Sequence, residues 1–155
     1  MDEVADAVEL VCKEQKGETL RRMATALVTA YLQTKMRDAR TSVALYSISS
    51  DVDGAKIVQQ IGTRMNKAIV RMLATSCEPL MTDPQLVASM LQGAMAGIGR
   101  RLVESDAAGE QFDVFREELV FVACAYLEAC SARLPVQEDV IRKDAAKSLR
   151  RAARA

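Results

Sequence analysis

The sequence has 155 residues, half of them hydrophobic, which is the size and apolar content of one domain that buries its own core. Its 21 basic and 21 acidic residues give a formal net charge of zero, whereas a domain built to grip nucleic-acid phosphates carries a positive excess, so this chain alone is a poor DNA binder. Histidine is absent, which removes the commonest general base, the Ser-His and Cys-His nucleophile pairs, and nearly all zinc and di-iron ligand sets of helical bundles.

Helix formers dominate and only three prolines occur, Pro79, Pro84 and Pro135, so the sequence predicts helices and no sheet. A first short helix over about residues 2–15 places Val4, Val8, Val11 and Cys12 on one face, and Gly17 is positioned to end it. A second helix over about residues 18–35 turns Leu20, Met23, Ala24, Leu27, Val28, Tyr31 and Leu32 inward and Arg21, Arg22 and Gln33 outward. Residues 36–50, with Val43, Leu45, Tyr46 and Ile48, predict a short third helix with a serine-rich exit. Asp51 or Asp53 then caps a long helix whose Ile57, Ile61, Met65, Ala68, Ile69, Met72 and Leu73 form a stripe wide enough to predict burial over much of its circumference.

Thr82-Asp83-Pro84 starts the next helix, which carries Leu86, Val87, Met90, Leu91, Ala94, Met95, Ile98 and Leu102. Asp106 to Gly109 reads as a loop. After it, Phe112, Phe115, Leu119, Val122, Tyr126 and Ala129 alternate spacings of three and four, the seam of a helix packed nearly parallel or antiparallel to a partner. Pro135 ends that helix. The expected organisation is a helical domain at residues 1–134 and a basic tail at 135–155, helical or frayed. The fold class is all-α, an orthogonal or antiparallel bundle of about six helices that dimerises through a four-helix bundle.

No apolar stretch approaches the roughly 20 residues needed to cross a bilayer, and the N-terminus opens on Asp2, Glu3 and Asp6 rather than a basic and then apolar leader. No membrane partner and a cytoplasmic location are therefore expected. Cys12, Cys77, Cys124 and Cys130 form no Cys-x-x-Cys pair, which fits free thiols in a reducing compartment. Glu117 and Glu118, like Arg100 and Arg101, read as solvated faces, because adjacent helical positions diverge by about 100°.

Two features carry functional meaning. The run Gly93-Ala-Met-Ala-Gly97-Ile-Gly99 sits inside a helix, where each glycine costs about 1 kcal/mol relative to alanine, and small residues four apart let helix backbones approach closely. That approach is either within the domain or across a dimer two-fold axis. The run is no phosphate loop, since no strand precedes it and no Lys-Ser or Lys-Thr pair follows. The last helix is apolar on more than one side, because Val120, Phe121, Ala123, Cys124 and Leu127 point away from the seam. Its surplus goes either into a central core position or into a subunit interface. The candidate interface is Met90, Gly93, Ala94, Gly97 and Arg101 with Phe115, Leu119, Val122 and Tyr126, paired with a second copy.

Eight methionines are many for this length, and flexible thioethers line adaptable cavities as well as filling gaps in ordinary cores. Met23, Leu27, Tyr31, Tyr46, Met65, Ile69, Met72 and Met95 are candidate contacts for a small, mostly apolar effector between the second, third and fourth helices. No catalytic residue, metal ligand or cofactor is expected.

The stretch from Asp83-Pro84 through Leu91-Gln-Gly93-Ala-Met-Ala-Gly97-Ile-Gly-Arg100-Arg-Leu102, followed by the aromatic-led helix from Phe112, resembles the C-terminal, effector-binding half of TetR-family transcriptional regulators. The resemblance implies a linking helix, helices around a ligand cavity, and two long final helices that make the dimer. It further implies a sensor of a small effector that touches DNA only through a helix-turn-helix domain not contained in these residues. The competing reading is a stand-alone helical module for protein–protein interaction. An enzyme is not expected, because no convergent acid-base set exists.

Overall fold

The structure, a computed structural model, describes residues 3–37, 52–106 and 108–132. The short helix expected up to residue 50, Tyr46 within it, and the basic tail lie outside the described residues. Five helices run in order: α1 (Glu3–Glu14), α2 (Leu20–Arg37), α3 (Val52–Leu73), α4 (Pro84–Glu104) and α5 (Ala108–Ala132), with no strand among the described residues.

α1 buries Ala5, Val8, Val11 and Cys12, and the chain turns beyond it at Gly17, whose φ of 78° lies in the left-handed region that glycine enters at little cost. α2 is the axis of the fold and touches each of the other four helices. All seven residues the periodicity turned inward, from Leu20 to Leu32, are buried there.

The connection between α3 and α4 binds three helices at one end of the bundle. Gly17 N–H donates to Thr75 Oγ1 at 2.9 Å, and Cys77 N–H donates to the Glu18 carbonyl at 3.3 Å. Leu20 N–H donates to Glu78 Oε2 at 2.9 Å, so a carboxylate from this loop satisfies an orphan amide at the start of α2. Met81 N–H donates to the Cys130 carbonyl at 3.0 Å, and Ser131 Oγ donates to the Pro79 carbonyl at 3.0 Å, which ties the same loop to α5. α4 starts as its sequence dictates: Asp83 is the N-cap, accepting from Gln85 N–H at 3.1 Å, and Pro84 occupies the first turn.

Two expectations are corrected. α3 is not buried around much of its length: Met65, Ile69, Met72 and Leu73 are buried, whereas Ile57 is 41% and Val58 37% exposed. The reason is length, since the 22 residues of α3 span about 33 Å and the 12 of α1, which runs beside it, only about 18 Å. In α5 Leu119, Ala123, Cys124, Leu127 and Cys130 are buried, Phe112, Phe115 and Tyr126 of the seam are half-buried against the core, and Val122 is exposed. Small side chains let α5 lie close on α2, where Cys124 Sγ is 3.8 Å from Thr25 Oγ1. α5 also begins at Ala108, so the expected loop shortens to Ser105 and its neighbours.

Candidate dimerisation face and effector-side core

α5 buries Leu119 and Leu127 with its small residues and leaves three large apolar side chains outside. Val122 is 52% and Phe121 69% exposed, and Val114 is exposed with them. On α4 the inward residues are Val87, Ala88, Leu91, Met95, Gly99 and Leu102, which leaves Met90 55% exposed, with Gly93, Gly97 and Arg101 on the same outward side. Of the nine candidate interface residues, Met90, Gly93, Gly97, Arg101 and Val122 are exposed, Ala94, Phe115 and Tyr126 are half-buried against the core, and Leu119 is buried. Between the helices runs an apolar groove of about 160 Å³, with Val28 and Met95 at its floor and Met90, Ala94, Val122 and Tyr126 along its rim. Leu119, nearly covered, lines it too, and the Arg101 guanidinium lies 5.5 Å from the Phe115 ring centre, a cation–π contact at the edge of the face.

The glycine run divides by geometry. A Cβ built at Gly93 or Gly97 meets nothing within 4 Å, while one at Gly99 would lie 3.1 Å from Tyr31 Cε1 and 3.7 Å from Lys35 Cγ. Gly99 thus serves close approach inside the domain, where α4 passes the Tyr31 ring of α2. Gly93 and Gly97 present bare backbone on the outward face.

Of the candidate effector contacts, Met23, Leu27, Tyr31, Met65, Ile69, Met72 and Met95 are all buried in one core shared by α2, α3 and α4. Met95 also reaches the α4–α5 groove. Sequence reasoning missed Lys35, which is only 7% exposed at the end of α2, and burial lowers its pKa from the ordinary lysine value. Its spacing of four from Tyr31 was the available signal. Sequence reasoning also left Phe121 and Val114 off the outward face, where they extend the Val122 side.

All four cysteines are free, Cys77 exposed and the others buried. Burial, with help from Glu9, pushes the Cys12 thiol up to about 12, so it stays protonated and unreactive. A thiol reagent at pH 8 is expected to label Cys77 quickly and Cys12, Cys124 and Cys130 only on unfolding; two fast thiols in the native protein would contradict the packing. Because the folded-state value of Cys12 is raised above its ordinary 9.0, its share of stability is complete below pH 9 and is lost as pH rises from there toward 12. Among the described residues no cluster of three His, Cys, Asp or Glu could hold a metal, and no helix is long and apolar enough to cross a membrane. Glu117, Glu118, Arg100 and Arg101 are exposed, as expected of solvated positions.

Comparisons with curated proteins and with solved structures give no match. The profile of the tetracyclin repressor-like C-terminal domain matches residues 19–127, which covers α2 to most of α5. With an all-helical bundle in the order that the resemblance implied, the chain belongs to the tetracyclin repressor-like C-terminal domain family, the ligand-binding and dimerisation part of a transcriptional regulator.

Proposed function

We propose that this domain forms a homodimer through the α4–α5 face and senses a small, mostly apolar effector held among α2, α3 and α4, thereby controlling DNA binding by a helix-turn-helix segment outside these 155 residues. The observation that carries the reading is the outward apolar face, on which Met90, Phe121 and Val122 each keep more than half of their surface bare in the single copy. Met90 and Val122 line one apolar groove, and Phe121 adjoins Val122 in sequence, so a partner covering this side would bury all three. A two-fold axis through the face stacks two α4 and two α5 helices as a four-helix bundle, with Gly93 and Gly97 allowing close backbone approach.

α4 supplies the link between the two roles. Met95 and Gly99 look into the core beside the candidate effector contacts, and Met90, Gly93 and Gly97 look toward the second copy. An effector that favours one position of α4 shifts the population of dimer geometries, and with it the spacing of the DNA-reading heads.

Light scattering on the chain at micromolar concentration is expected to give twice the mass of one copy; a monomer would defeat the dimer assignment. Thermal-shift screening with small apolar compounds tests the sensor role separately. A true effector at 100 times its dissociation constant stabilises by about 2.7 kcal/mol. A dimer that no such compound stabilises would leave the interface standing and remove the effector.

A further inference from the structure

Along the paired helices α1 and α3, neither of which touches α5, charge is sorted by position. At one end Arg64 donates to Glu9 from Nε and Nη2, both at 3.0 Å, and from Nη2 to Asp6 Oδ1 at 2.8 Å. Two carboxylates meet one guanidinium there, so that end carries no positive surplus. Further along, Lys13 of α1, Lys16 in the turn beyond it, and Lys67 and Arg71 of α3 converge on a cleft of about 250 Å³ whose lining includes Cys12 and Ala68.

None of these four cations forms an ion pair with a described residue. Lys13 and Arg71 lie in the last turns of their helices, where the helix dipole favours a cation. That accounts for two of them and leaves Lys16 and Lys67 unexplained. In a chain of zero net charge, the gathering is local. All four are exposed, so water and salt screen part of their mutual repulsion, while the concave wall focuses the remaining field toward an anion.

We propose that this cleft is a binding site for a small molecule bearing a diphosphate group. Lys67 and Arg71, four apart on α3, are side-chain neighbours about 6 Å apart, and Lys13 and Lys16, three apart in sequence, face them across the cleft. Each pair suits one phosphate, and the two pairs together suit two linked ones. The neutral Cys12 thiol and Ala68 offer no repelling charge, and the one acid lining the cleft, Glu9, is held by Arg64. The site is separate from the α4–α5 face and independent of the effector assignment.

The test is calorimetric titration of the full chain with inorganic pyrophosphate, and in parallel with a short duplex DNA, alongside Lys67→Glu and the control Lys56→Glu, an exposed cation of α3 that does not line the cleft. Wild type and Lys56→Glu are expected to bind one pyrophosphate per chain. Lys67→Glu should bind it at least tenfold more weakly and, without ligand, should melt at a higher temperature because repulsion is relieved. The proposal is overturned by absent or non-saturating pyrophosphate binding, by equal binding in Lys67→Glu, or by an equal loss in Lys56→Glu. Lys67-dependent binding of the duplex without binding of pyrophosphate would also overturn it and assign the cleft to a nucleic-acid backbone.

Discussion

Val122→Glu is expected to convert the proposed dimer to a monomer without unfolding either copy. Val122 is half exposed in the single chain, so a glutamate there remains solvated and the monomer keeps its core. Across a two-fold axis through the proposed face the same change brings two carboxylates against apolar surface. Each unpaired buried charge costs several kcal/mol. A loss of about 4 kcal/mol weakens association a thousandfold. Light scattering across a dilution series reads the mass, and circular dichroism confirms the helix content. A Val122→Glu protein that remains dimeric at micromolar concentration would move the interface elsewhere.

Gly99→Leu has the second large effect, and its contrast with Gly97→Leu separates packing inside a copy from packing between copies. At Gly99 even a Cβ would sit 3.1 Å from the Tyr31 ring, and Tyr31 is buried, so leucine has nowhere to go. Overpacking of this severity costs about 3 kcal/mol, less the small gain in helix propensity. For a chain of this size that lowers the melting temperature by roughly 10 °C. At Gly97 the space is open, so leucine leaves the single copy intact or slightly more stable and acts on association alone. Equal melting temperatures for the two variants would refute the division of the glycine run.

Helix existence was largely legible in the sequence because the chain punctuates itself. Gly17 ends one helix and Asp83-Pro84 starts another, and the stripe from Leu20 to Leu32 needed no knowledge of its neighbours. What failed depended on those neighbours. On α5 the seam through Phe115, Val122 and Tyr126 marked one apolar side without revealing that Ala123 and Cys124 lie in the close crossing over α2 while Val122 stays exposed. The α3 stripe marked an apolar side without revealing that α1 is too short to cover it. Lys35 was hidden because an alkyl stem four residues from Tyr31 can follow an inward face that its charge argues against. Among the site residues, the outward placement of Met90, Gly97 and Val122 followed from helical spacing, whereas the split between Gly97 and Gly99 required the position of one ring.

The loop that joins α3 to α4 ends one residue before Pro84, after fastening the α1–α2 turn and the tail of α5. Its grip makes the start of α4 a pivot, and any tilt of that helix grows toward Glu104. Over the roughly 30 Å that 21 residues cover, a swing of about 5° carries the far end close to 3 Å while Pro84 barely stirs. Under the proposed function, a molecule lodged near Met95, midway along this lever, needs only a fraction of that travel to reset how two copies meet.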